Sequence, residues 1–179
     1  MSKRLASRRV EGAFYLVSAL LLVSGGNKLF DPGPTAGALR AAGLPGPRRG
    51  VQALALTEVV VGAGALAFSG TWFGWGVAIL YVGFLGFVVN ALIRRLPIGS
   101  CGCFGKSDTP PSVGHLLVNL AAAVTGVIAA LEPARPLPDV MLEQPAWGLP
   151  YLVFVGIGVY LLYLLLSQLP ALLAHRLEP

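Results

Sequence analysis

Charge is scarce in this sequence. Asp, Glu, Lys and Arg together make up 12% of its 179 residues, where a soluble globular domain carries about 25%. Apolar residues account for 55%, and in water a chain this apolar would expose large adhesive patches. An ordinary water-soluble domain is therefore excluded, whereas a bilayer would solvate the apolar surface. Acidic residues are rarer than basic ones, eight against thirteen, which gives a formal net charge of +5. The basic residues stand at the ends of apolar runs, as flanking charges of membrane spans do, so no nucleic-acid partner is expected. Only two cysteines and two histidines are present. Two sulfurs alone cannot complete a tetrahedral zinc site. Internal repeats and a soluble domain are also missing.

What is present is a series of long apolar runs. A membrane span needs about 20 mostly apolar residues. Five stretches approach that, at residues 12–29, 51–68, 72–93, 113–131 and 149–169, the last continuing as an interfacial helix to Leu177. Backbone groups in lipid must be satisfied internally, which makes these runs helices. The expected fold is an all-α integral membrane protein, a four-helix transmembrane bundle plus a fifth, C-terminal helix, in one membrane domain over residues 1–179. Lys3, Arg4, Arg8 and Arg9 precede the first run as they would in a signal peptide. No small-x-small cleavage site leading into a polar chain follows, so a retained helix is expected. Thr35 to Leu44 reads as a short interfacial helix, 69–71 as a tight turn and 132–148 as an irregular proline-rich loop. Trp72, Trp75 and Trp147 fit an interfacial aromatic belt. Gly62, Gly64, Gly76, Gly83, Gly86 and Gly126 are predicted to let helices approach closely.

Alternating spans bring the polar residues to one membrane face. Asn27 and Lys28 close the first span, Asn90, Arg94 and Arg95 close the third, and His115 and Asn119 open the fourth. Glu58 lies about two turns, roughly 10 Å, inside the second span. An ionisable group within a span is a functional candidate by default. Glu58 serves either as a structural partner of Lys28, as a protonated carboxyl bonded to a neighbouring helix, or in proton transfer or ligand binding. Asn90 and Asn119 suit interhelical hydrogen bonds. His115 reads as a solvated interfacial residue or as a proton carrier near thiols.

The loop at 94–112, on that same face, holds both cysteines, Cys101 and Cys103, with Gly102 between them. A disulfide needs α-carbons about 4.4–6.8 Å apart, which residues two apart reach only where the chain bends. Such a bond would close almost no loop and could hardly stabilise a fold. Strained, exposed disulfides are the labile or catalytic ones. Arg94, Arg95 and Lys106 favour the thiolate, the species that attacks a disulfide. Redox exchange is the leading reading for Cys101 and Cys103. Binding of Cu(I) or zinc with His115 as a third ligand, a non-catalytic assembly role, and inert packing are the alternatives.

The Cys101-Gly102-Cys103-Phe104-Gly105 segment, following a basic pair at the end of a membrane helix, resembles the MauE family, a branch of the DoxX-like membrane proteins. Ser24-Gly25-Gly26-Asn27-Lys28-Leu29-Phe30-Asp31-Pro32 looks like the DoxX-type end of the first helix, and Gly43-Leu44-Pro45, Glu58, Gly62 and Asn119 are similar too. The resemblance covers roughly residues 12 to 131, so the fifth helix has no counterpart in the four-span outline. It implies an accessory protein in maturation of a disulfide-rich dehydrogenase subunit for methylamine utilisation, working beside a thioredoxin-like protein. More broadly it implies thiol–disulfide exchange on extracytoplasmic clients, as oxidoreductase or accessory subunit. It also implies a possible coupling to a membrane quinone, with no covalently bound cofactor. Lys28, Glu58 and Asn119 would line a polar pocket beneath the loop. A multi-pass protein of the bacterial inner membrane is expected, with the cysteine loop outside because the N-terminal basic cluster precedes the first helix. The positive-inside rule opposes that choice, since Lys28, Arg40, Arg48, Arg49, Arg94, Arg95, Lys106 and Arg176 share the cysteine face.

Overall fold

The computed structural model describes residues 2–96, 98, 110–143 and 145–167. Among the described residues the chain is all-helical, with no strand: α1 (Ser2–Phe30), α2 (Gly33–Ala41), α3 (Arg48–Ala67), α4 (Thr71–Ile93), α5 (Val113–Leu131), α6 (Leu137–Glu143) and α7 (Pro145–Ser167). Among the described residues four stretches are long and apolar enough to cross a membrane, Glu11–Phe30, Arg48–Ala67, Thr71–Ile93 and Val113–Leu131. They coincide closely with the first four expected spans. The fifth expected span falls on α7, whose described apolar stretch is the shorter Leu152–Leu162. Its continuation beyond Ser167 lies outside the described residues.

The breaks between helices follow from local chemistry. α1 ends where Asp31 precedes Pro32, because a residue before proline is pushed out of the helical region. The Asp31 carboxylate then accepts the Gly33 N–H at 3.2 Å and opens α2. α2 closes on Gly43 at φ +75, with Gly43 N–H donating to Arg40 O and Leu44 N–H to Leu39 O, both at 2.9 Å. That double bond pattern around a left-handed residue is the glycine stop of a helix. The proline-rich stretch at 132–148 is not wholly irregular as expected. Leu137–Glu143 is helical, because Pro138 falls in the first turn, where a missing N–H has no intrahelical acceptor to disappoint.

Two antiparallel pairs make the bundle, α1 on α3 and α4 on α5. Both are held at backbone contact by small residues. A Cβ on Gly62 would come within 2.8 Å of Ser18 O, and one on Gly126 within 2.7 Å of Ala78 N. The two pairs are joined through a core that includes Phe14, Tyr15, Leu21, Val77 and Tyr81, and the Tyr81 hydroxyl donates to Val17 O at 2.8 Å. α7 packs on α1, with Val159 and Leu162 against Leu20. Gly83 and Gly86 depart from the packing role expected of them: a Cβ at either would meet nothing within 4 Å.

The end opposite the cysteine loop is tied structurally. Tyr15 donates its hydroxyl to Arg135 O at 2.6 Å, and Ser69 Oγ lies 3.0 Å from the same carbonyl. The Arg135 guanidinium donates to Glu143 at 2.6 Å, a bond that raises its already high pKa.

Gly126→Val is expected to destabilise the bundle by about 1–3 kcal/mol, the usual overpacking cost, read as a lowered Tm in detergent. Gly156→Val, on the exposed face of α7 where a Cβ meets nothing within 4 Å, should leave Tm unchanged.

Candidate functional site

Ser24 and Lys28 lie one turn apart on the last two turns of α1, so they share a face. Gly25 opens that face to α3. A Cβ there would sit 2.7 Å from Ala55 O and 2.8 Å from the Glu58 Cβ, so any larger residue would drive α3 away. With glycine, the Lys28 ammonium reaches Glu58 Oε2 at 2.8 Å and Ser24 Oγ at 2.6 Å. Ser24 in turn donates to the same Oε2 at 3.0 Å. Both charged side chains are sealed, at 3% and 0% exposure. The ammonium also stands 5.0 Å from the centre of the Phe84 ring on α4, within cation–π range. Glu58 Oε1 is buried and has no hydrogen-bond partner among the described residues.

Of the three roles open to Glu58, the geometry realises the ion pair with Lys28. A desolvated pair of this kind contributes little net stability, yet removing one partner strands the other charge.

Beside this pair a cavity of about 670 Å³ lies between α2, α3 and α4, near the usual size of a ligand site. Its walls are mostly apolar, and Lys28, Thr35, Asn90 and Arg94 supply the polar groups. α2 folds across the end of α4, with Ala38 against Ala91 and Ile98. There α4 stops abruptly. Arg95 N–H donates to Leu92 O and Leu96 N–H to Ala91 O, around Arg95 at φ +47. A non-glycine residue in that left-handed region costs roughly 1–2 kcal/mol. Arg94 and Arg95 are both exposed, and Arg94 borders the cavity.

The α5 residues form a separate cluster. His115 is buried rather than solvated as expected, because the first turns of α5 pack into the bundle, and its Nδ1 lies 2.9 Å from Ser112 Oγ. Asn119 donates to His115 O at 2.7 Å, within its own helix. Neither residue borders the cavity that Lys28 and Arg94 line. Cys101 and Cys103, with Lys106, lie outside the described residues. Among the described residues no three His, Cys, Asp or Glu side chains gather as a metal site.

Ser24 and Thr35, expected only as parts of a helix end and an interfacial helix, and Phe84 were not expected at the site. The spacing of Ser24 and Lys28 was a usable signal for the first. Nothing local marks Phe84 or Thr35, whose roles depend on how α2 and α4 pack.

The family model for methylamine utilisation protein MauE matches residues 8–132. That is well over half of the chain, and it takes in most of α1 and all of α2 to α5 together with both cysteines. The chain belongs to the MauE family. No curated protein matches it, and no solved structure does.

Lys28→Met should cost about 3–5 kcal/mol, because it strands the Glu58 carboxylate. Adding Glu58→Leu to Lys28→Met should restore much of that loss. Thermal unfolding of both single variants and the double variant in detergent checks this. Additive losses would show that the pair is not coupled.

Proposed function

We propose that this MauE-family membrane protein is a thiol–disulfide redox protein, acting in the bacterial inner membrane on the maturation of extracytoplasmic proteins. The observation that carries the reading is the pair Cys101 and Cys103, one glycine apart, in the only segment of the chain that contains cysteine. The segment follows directly on the end of α4, where Lys28, Asn90 and Arg94 surround a cavity. The abrupt stop at Arg95 supports the reading further, since it turns the chain away from the helix axis just ahead of the sulfurs.

The chemistry balances as follows. One thiolate of the pair attacks a disulfide sulfur of a thioredoxin-like partner. An S–S bond to the partner forms, and the partner's second sulfur leaves as a thiolate. The remaining cysteine attacks the mixed disulfide, closing Cys101–Cys103 and releasing the partner as a dithiol. The pair has lost two electrons and two protons, and the partner has gained them. Run backwards, the same steps oxidise the partner, and a membrane quinone taking up two electrons and two protons then regenerates the Cys101–Cys103 bond from the dithiol. Arg94 and Arg95 favour the attacking thiolate through their charge. Within this reading Lys28, held by Glu58, lines the cavity, and His115 and Asn119 stand apart from it in the first turns of α5.

Single substitutions separate exchange from passive client binding. With Cys101→Ser or Cys103→Ser, the remaining sulfur has no resolving partner. At least one of the two variants should accumulate a mixed disulfide with a thioredoxin-like protein, visible on non-reducing gels and lost on reduction. If neither variant captures any such adduct, redox exchange is wrong.

A further inference from the structure

The cavity beside Lys28 has features that thiol chemistry does not require. On α4 its lining runs from Arg94 down to Ile79. From Ile79 to Arg94 the rise is roughly 22 Å. That length exceeds half of a hydrocarbon core about 30 Å thick, so the cavity is an elongated channel along α4. Gly83 and Gly86 form part of its wall, are exposed, and face open space instead of another helix. The channel is thus open on its α4 side at Gly83 and Gly86.

Its upper end is cationic. Arg40, Arg48, Arg49, Arg94 and Arg95 are all exposed at that end of the bundle, and Arg94 belongs to the lining itself. Among the described residues the only acidic groups there are Asp31 and Glu58, and Glu58 is already paired with Lys28. Lys28 contributes no net charge, so the rim arginines set the charge of the mouth.

We propose that this channel binds an anionic phospholipid, with one acyl chain along Gly83 and Gly86 and the phosphate at Arg94. An apolar channel one leaflet deep selects a chain. A basic mouth selects a negative headgroup, since each basic residue near the surface attracts anionic lipid by about 1 kcal/mol, or roughly fivefold. The inference is independent of the redox reading, because it uses neither cysteine.

Native mass spectrometry of the purified full chain, with phosphatidylglycerol or phosphatidylcholine of identical acyl chains added, tests it. Phosphatidylglycerol should be retained at least fivefold more tightly, and Arg94→Gln should remove most of that preference. Gly83→Leu with Gly86→Leu should weaken retention of both lipids, while Gly156→Leu on α7 should leave both unchanged. Should the double variant fail to fold, phosphatidylglycerol carrying a diazirine on an acyl chain reports on the unsubstituted protein. Its cross-links are expected on α2 and on residues 79–94. Equal retention of the two lipids, or cross-links confined to α5 and α7, would overturn the proposal. So would a short-tailed naphthoquinone that displaces the lipid and binds equally well to Arg94→Gln, since the channel would then belong to a quinone.

Discussion

The bond between Lys28 and Glu58 is the constraint on which the arrangement of this bundle depends. Neither charge is tolerable alone at that depth, so α1 and α3 must meet where the two residues lie, in the register that Gly25 permits. The same contact brings the ammonium against Phe84 and so draws α4 toward the pair. With α1, α3 and α4 placed in this way, and α2 folded across the end of α4, a cavity is left beside the ammonium. Hydrophobic burial gives little direction within a membrane, where lipid is as apolar as a core. Small-residue seams and this one ion pair supply the specificity instead.

The two ends of the bundle are built differently. At one end, hydroxyls of Tyr15 and Ser69 converge on a single carbonyl of Arg135, which fastens the connection between α5 and α6. Such bonds secure a loop. At the other end, Lys28, Asn90 and Arg94 face a cavity, Glu58 keeps an oxygen with no partner among the described residues, and α4 terminates on a left-handed arginine. The cysteine segment leaves from this second end. A MauE-family protein that handles disulfides would need such an asymmetry, a firm base and a polar mouth, and the proposed exchange is assigned to the mouth for that reason.

Much of the fold was legible because lipid imposes a simple code. Long apolar runs must be helices, and the first four appeared within a few residues of their expected bounds. Lys28 and Glu58 could be recognised as partners because alternation of spans placed them on one face. Gly83 and Gly86 were misjudged, since glycine in a span either admits a neighbouring helix or leaves a space, and only the packed structure separates the two. His115 was misjudged because the first turns of a helix next to a loop can still pack inward. Helix α6 was missed because Pro138 reads as a breaker unless it falls in a first turn. The cavity was legible only as a set of polar residues on one face; its apolar walls come from α4, α3 and α2 together, and no periodicity announces the placement of α2.

The central claim is that Cys101 and Cys103 cycle between bonded and free states outside the cytoplasm. Labelling intact cells with a membrane-impermeant thiol reagent, with and without prior reduction, tests it most directly. The account predicts no labelling of either cysteine until a reductant has opened the bond, and labelling from outside afterwards. Free thiols that react without reduction, and only once the membrane has been permeabilised, would contradict it.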